Sequence, residues 1–337
     1  MVFMKDAKIF DAPYTIESQT LDSISAYWER DGNSIPWRCL FVLPVWLKVW
    51  SDSFAQSYAP YLFSIFHEDC TMGIVPLQRK GDTVRLIGDK NVCDNLDFIV
   101  ATEKASDFYH ILINHLQQDG VKRMVLEPIR SDSSTFSKLL PVAEKIGCKI
   151  SYECSDMSYE LKLPSSWDAY LHMLSGKERH EIKRKLRRLY EAGKVEYRLV
   201  DDVFSVKKEM KTFLALFRSN RPDKAEFMND QMYSFFKRLA ESLAAERILK
   251  LFFIDLDERP IASTMCFDYQ STMYLYNNGY DKRFRSLSVG VLSKVLSIKE
   301  SIQSGKHTYD FLKGSEVYKQ RLGGQPVQLY RCLIELV

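Results

Sequence analysis

Two distant stretches of this chain follow the same local plan. YLFSIFHEDCTMGIVPL (61–77) and LKLFFIDLDERPIASTMCF (249–267) each give an apolar strand, an acidic turn and a second strand opening on small or branched residues. The segments after these two hairpins repeat as well. In the first half a short strand (84–88) leads to a helix (104–118) stopped at Gly120, then a strand (123–127). In the second, a strand (272–278) leads to a helix (289–304) stopped at Gly305, then a strand (308–312). A helix over 43–54 precedes the first hairpin, and a helix over 133–146, ended by Gly147, precedes a strand at 149–153. Further strands are read at 159–163 and 327–336, with a helical stretch over 165–174. Such repetition in 337 residues predicts two α/β copies. We place the boundary near residue 155, giving domains 1–155 and 156–337.

Composition narrows the class of function. Apolar residues make up 46% and charged residues 27%, with no low-complexity tract, so both halves can bury a core. The opening MVFMKDAKIFDAPYT lacks the continuous apolar run of a signal peptide. The most apolar segment, 39–50, is broken by Pro44 and Lys48 and is too short to span a bilayer. The expected location is the cytoplasm. The seven cysteines are odd in number and form no CxxC pair, which argues for reduced thiols. None of the six histidines clusters with them, so no metal site is expected. The net charge of +3 is uneven, acidic over 1–150 and basic over 151–337. A basic second half suits an anionic ligand.

Three stretches could carry chemistry. GKERHEIKRKLRRLYEAG (176–193) is a helix with Ile182, Leu186, Leu189 and Tyr190 on one stripe, Ser175 to cap its start and cations over the rest. It is either a solvated amphipathic helix or an anion-binding face; RNA is less favoured, since no aromatic is interleaved for stacking. RFRSLSVGVLSKVL (283–296) places Arg285, Ser288 and Gly290 just ahead of an apolar-periodic helix. A pyrophosphate is held by backbone N–H groups at such a helix start, where small residues let the backbone approach. An ordinary capped helix start would read the same way. HTYDFLKGSEVYKQRLGG (307–324) ends a strand in Asp310, Lys313 and Gly314, followed by Glu316, Tyr318 and Lys319 in one turn. Acyl transfer to an amine needs a base for the acceptor's proton and an acid for the leaving thiolate. A carboxylate and a phenol supply these, although a polar surface turn would look alike. Trp46, Trp50, Trp167 and Cys266 are read as core residues.

Taken together, "YDFLKGSEVYKQRLGG", "NNGYDKRFRSLSVGVL" and "GKERHEIKRKLRRL" resemble the GNAT-superfamily acetyltransferases of cellulose and exopolysaccharide biosynthesis (CelD/BcsL-like). That group is related to the FemAB peptidoglycan aminoacyltransferases. "LPVWLKVW", "GIVPLQ" and "IGDKNVCDNLDF" extend the resemblance over nearly the whole chain. It implies a tandem, duplicated GNAT-like α/β fold with mixed sheets flanked by helices, its first copy degenerate. It implies acetyl-CoA or another acyl-CoA as donor, or aminoacyl-tRNA for the FemAB relatives, and no metal. By position, Arg285, Ser288, Val289 and Gly290 fall on the pyrophosphate loop. Asp310, Glu316 and Tyr318 fall on the catalytic strand and turn. Lys177, Arg179 and Arg184 of the basic helix, Lys319, and Asp94 and Asp97 of an acidic loop fall on substrate-binding positions. Ser288 stands where most GNAT enzymes have glycine, and Val289 where this group often has proline.

The expected activity is transfer of an acyl group to an amine or hydroxyl on a sugar or cell-envelope precursor. The acceptor is a small or sugar-linked molecule, and a lipid-linked or peripheral-membrane substrate stays open. Nucleic acid enters only as tRNA in the FemAB-like alternative. A non-catalytic partner in polysaccharide synthesis is the reading from a different class.

Overall fold

The computed structural model describes residues 2–3, 14–31, 34–54, 57–68, 70–220 and 222–336. Most of the opening MVFMKDAKIFDAPYT, and residue 69 of the first hairpin's turn, lie outside these. The chain forms two compact units, Met1–Met157 with Val327–Val337, and Ser158–Pro326. A boundary near residue 155 alone leaves 327–337 with the second half. The structure puts them in the first unit, because the last strand pairs there.

In the first unit the elements run β1 (Val2–Phe3), β2 (Tyr14–Ser18), α1 (Leu21–Asp31), α2 (Pro44–Phe54), β3 (Ala59–His67), β4 (Cys70–Lys80), β5 (Thr83–Leu86), β6 (Ile99–Val100), α3 (Ala105–Gln118), β7 (Arg123–Arg130), α4 (Leu140–Lys145) and β8 (Lys149–Lys162). A π-helical turn, Thr135–Leu139, leads into α4. The second unit takes the end of β8, then α5 (Trp167–Met173), α6 (Gly176–Glu191), β9 (Val195–Val200), α7 (Val203–Asn220), α8 (Pro222–Phe227), α9 (Asp230–Ala245), β10 (Leu249–Leu256), β11 (Arg259–Tyr269), β12 (Thr272–Tyr280), α10 (Val289–Gln303), β13 (Thr308–Lys313) and α11 (Val317–Arg321). The last strand, β14 (Gln325–Glu335), pairs antiparallel with β7.

The repeated plan is present in both units. β3 and β4 form an antiparallel hairpin, β5 joins it antiparallel, and β5 pairs parallel with β7 across a crossover that contains α3. β10 and β11 form the matching hairpin, β12 joins it antiparallel, and β12 pairs parallel with β13 after α10. The strand pairing in each unit is therefore mixed, as the family resemblance implies. The strand read at 149–153 and that at 159–163 are one strand, β8. The helices α1, α7, α8 and α9 are additional to the elements read from sequence.

Both cores are rich in aromatic side chains. Trp46, Phe108 and Leu126 are fully buried in the first unit, and Phe213, Phe235, Phe253 and Ile298 in the second. Trp50 is buried as expected, but Trp167 keeps partial exposure at the start of α5. On α6, Ile182 and Leu189 are buried, whereas Tyr190 is 54% exposed and lies outside the buried stripe. All seven cysteines are free. Among the described residues no helix is long and apolar enough to cross a membrane.

A bulge in β12 decides which of its residues face α10. Cys266 pairs with Leu275 and Met265 with Asn277, so Tyr276 is the extra residue. Alternation then restarts. Asn278 and Tyr280, opposite Thr264 and Ala262, share the face of Cys266, while Gly279, opposite Ser263, takes the other. Gly279 meets α7 so closely that an added Cβ would lie 2.3 Å from the Phe217 nitrogen. Tyr280 instead packs on α10 at Gly290. Helices thus cover both faces of this sheet.

Candidate active site

β12 and β13 pair in parallel only over Thr272–Tyr274 and Thr308–Asp310. Beyond that point they part, and a cavity of about 410 Å³ opens at the carboxyl ends of the strands, where open α/β sheets place their sites. β12 supplies Asn278 and Tyr280, the turn into α10 supplies Arg285 and Ser288, and α10 adds Val289, Gly290, Val291 and Lys294. Glu316 just before α11, Tyr318 on it and Lys224 from α8 complete the wall.

The head of α10 is built tightly. Asp281 caps a 3-10 turn, Lys282–Leu287, by accepting from the Arg283 N–H at 3.0 Å. Ser288 then takes φ 59° and ψ 29°, the left-handed conformation that glycine adopts without steric cost. Its carbonyl accepts from the N–H groups of Val291 and Leu292, which starts the helix. The first-turn N–H groups of Val289 and Gly290 have no intrahelical acceptor and carry the positive end of the helix dipole. The Ser288 hydroxyl accepts from the Arg188 guanidinium of α6 at 3.1 Å. Gly290 is required for a reason not visible in the sequence: an added Cβ would lie 2.7 Å from the Tyr280 ring. Its missing side chain makes room for that ring. Val289 is fully buried.

Of the residues marked in the sequence, the structure brings together Arg285, Ser288, Val289, Gly290, Glu316 and Tyr318 around this one cavity. Arg285 is exposed there and makes no ion pair among the described residues. Asp310 does not line the cavity. It is buried in β13, where its carboxylate accepts from the Leu312 N–H at 2.7 Å and the Ser158 hydroxyl at 3.3 Å. It thereby holds Leu312 at φ 58°, where β13 bulges against β8. Lys319 also lies outside the cavity wall. Its buried ammonium donates to the carbonyls of Leu312 (2.9 Å) and Lys313 (2.6 Å) and pairs with Glu316 at 3.1 Å, fixing the turn that presents Glu316 and Tyr318.

Lys177, Arg179 and Arg184 sit on α6 away from the cavity wall, and Arg184 is paired with Glu181 at 2.8 Å. Asp94 and Asp97 are in the first unit. Asp97 accepts from the backbone N–H groups of Ser134 (3.1 Å) and Thr135 (3.2 Å) and from both their hydroxyls, tying the π-helical turn down. Burial pushes its carboxyl above the ordinary range, although the hydrogen bonds from Thr135, Phe98 and Ser134 oppose this. No group of three or more His, Cys, Asp or Glu placed to hold a metal exists among the described residues.

The electrostatics fit proton transfer. Burial raises the Glu316 carboxyl, but the charge and hydrogen bond of Lys319, a backbone hydrogen bond and the Lys294 charge together hold it below its usual value, so Glu316 is ionised at neutral pH. Burial, with the Glu316 charge, pushes the Tyr318 phenol well up, so it keeps its proton. Among the wall residues that carry no mark in the sequence reading is Lys294. Lys294 is 4% exposed, its Nζ donates to the Gly290 carbonyl at 2.6 Å and lies 4.8 Å from the centre of the Tyr318 ring. Burial, then the neighbouring Lys224 charge, lower its ammonium to about 7. A lysine inside the apolar and small-residue run Val291–Ile298 is the available signal. Lys224, about seventy positions upstream of Lys294, gives none.

A smaller cavity, about 370 Å³, occupies the corresponding place in the first unit, where β5 and β7 part after Arg85 and Val125. Its wall is crossed by ion pairs of Glu127 with Lys90 (3.3 Å) and Arg331 (3.6 Å), and none of its lining residues begins a helix.

Residues 176–320 match the family described as the Acetyltransferase (GNAT) domain. That stretch runs from α6 to α11 and contains every residue of the 410 Å³ cavity. No curated protein matches the chain in sequence. Among solved structures the chain is similar to FemX, with TM-score 0.66 and 11% identity, covering 94% of this chain and 96% of that one. It is similar to a conserved protein of unknown function from Bacteroides thetaiotaomicron (TM-score 0.58, 11% identity, 95% and 99% covered). It is also similar to L-PGS from Bacillus licheniformis (TM-score 0.55, 10% identity, 94% and 91% covered). At such identities the likeness is one of fold. Residues 176–320 of the second unit are thus similar to a GNAT-type acetyltransferase domain, and the fold of the chain is similar along nearly its full length to that of FemX.

Proposed function

We propose that this protein is an acyltransferase that takes an acyl group from acyl-CoA and passes it to an amine or hydroxyl on a sugar or cell-envelope precursor. The observation that carries this reading is one cavity bordered by a helix start with Arg285, an ionised Glu316 and a protonated Tyr318. The donor's pyrophosphate would lie against the first turn of α10, beside Arg285. The acceptor's nitrogen or oxygen attacks the thioester carbonyl and the carbon–sulfur bond breaks. Glu316 takes the acceptor's proton, and Tyr318 gives its own to the departing thiolate. The acceptor's class, including exopolysaccharide precursors, rests on the sequence resemblance.

The test is the thermal shift of the protein with acetyl-CoA and with CoA. Ligand that binds only the folded state must raise the melting temperature. Arg285→Ala is the informative variant, because Arg285 is exposed while Gly290 serves packing; it should weaken CoA binding about tenfold. Absence of any shift at millimolar ligand would sink the reading. A second reading, aminoacyl-tRNA as donor, is favoured by the exposed cations Lys177, Lys183, Arg184 and Arg187 on α6, the helix whose Arg188 reaches Ser288. It predicts tRNA binding that falls steeply with salt. Binding of neither donor would leave a non-catalytic role.

A further inference from the structure

Lys294 is an expensive residue where it stands. A buried ammonium needs a partner charge or a full set of acceptors. Lys294 has one acceptor, the Gly290 carbonyl, and no ion pair among the described residues. Its side chain also runs back toward the head of its own helix, so the amine sits at the positive end of the α10 dipole. The charged and titratable groups around it are Lys224 from α8, Glu316 before α11, Tyr318 and Lys319 on α11, and Cys266 on β11. Lys319 is already committed to Glu316 and two carbonyls. Lys224 donates to the Asn278 carbonyl at 2.6 Å and borders the same cavity, with Arg285 across the helix start. The balance of charge around the amine is positive, and what would relieve it is an anion entering the cavity.

We infer that Lys294, with Lys224 and Arg285, forms a subsite for a phosphoryl anion at the head of α10. This deepens the donor-site reading and rests on it. The subsite works by linkage. In the empty cavity burial and the Lys224 charge hold the amine near neutrality at physiological pH. An incoming dianion supplies the missing partner and favours the ammonium, so the anion binds together with a proton taken from solvent onto Nζ. Below about pH 7 the lysine is already protonated and no proton is taken up. Above it, uptake approaches one proton per site, and affinity falls about tenfold per pH unit until the bound-state pKa is reached.

The experiment is calorimetric titration with ADP at pH 8, in two buffers of different ionisation enthalpy, which reads net proton uptake directly. The wild type should take up close to one proton. Lys294→Met should abolish the uptake and weaken ADP roughly thirtyfold or more. Lys294→Arg, which cannot lose its charge, should bind without uptake and with a flat pH dependence. If the methionine variant fails to fold, the wild-type uptake and the arginine variant still decide. Binding without proton uptake by the wild type, equally tight binding by Lys294→Met, or no ADP binding at all would overturn the subsite. Acetyl-CoA turnover is measured in parallel. Uptake with ADP but no turnover would sink the acyltransferase reading alone; turnover with no uptake would sink the subsite alone.

Discussion

Lys294 and Gly290 show how little room the head of α10 leaves for change. The lysine's folded-state pKa of about 7 lies below the 10.5 of an unfolded chain. The unfolded state therefore binds the extra proton between these values, and this group's contribution to stability rises with pH across that window. Lys294→Met removes the penalty. It should be more stable than the wild type at pH 6, by an amount on the order of a few kcal/mol, and the gain should shrink toward pH 10. Urea melts at both pH values check this. Gly290→Ala should cost about 1–3 kcal/mol even without ligand, because its Cβ would press on the Tyr280 ring. A melting curve of the unliganded variant separates that cost from any loss of donor binding. The sequence shows a small residue at 290 but not why it is small, since Tyr280 reaches it through a bulge in another element.

At the scale of elements, the legible part of the fold is the part that depends on local pattern. Both hairpins, the α10 start, the Ser175 cap of α6 and the left-handed Gly147 and Gly305 stops can be read because each depends on neighbours in sequence. The long helices α7 and α9 escape that reading, and the bulge in β12 cannot be read from one strand alone. The residues of the final turn are legible as a group, but their division is not. Asp310 and Lys319 hold the backbone while Glu316 and Tyr318 face the cavity, a distinction set by β8 and by carbonyls that sequence spacing does not reveal. Gly279→Ala tests the contact of β12 with α7. Backbone atoms lie in the way, so no side chain can yield, and a loss of at least about 3 kcal/mol is expected in chemical denaturation. Asp97→Ala should cost about 2 kcal/mol by releasing the Ser134 and Thr135 N–H groups, with donor affinity unchanged in a titration.

At the scale of the whole molecule, the informative feature is the return of β14. Leu329, Cys332 and Ile334 are fully buried, and the strand pairs with β7 in the first unit. Truncation after Pro326 should therefore strip protection from amides of β7 and β5 in hydrogen exchange. β10 to β12 should keep theirs, because their pairing lies wholly in the second unit. Equal loss in both sets would count against independent units. A division into two copies is legible from the repeat. The return of the tail is not, since an alternating strand does not announce its partner.

That return also bears on how such a gene can change. The first unit is specified by two stretches of coding sequence that flank the second, so a single crossover cannot exchange it intact. Residues 1–157 transplanted alone would arrive without the strand that covers β7. The second unit, by contrast, is one uninterrupted segment, Ser158–Pro326, which two crossovers can lift out as a cassette. Recombination, natural or in the laboratory, should therefore vary the second unit more readily than the frame encoded on either side of it.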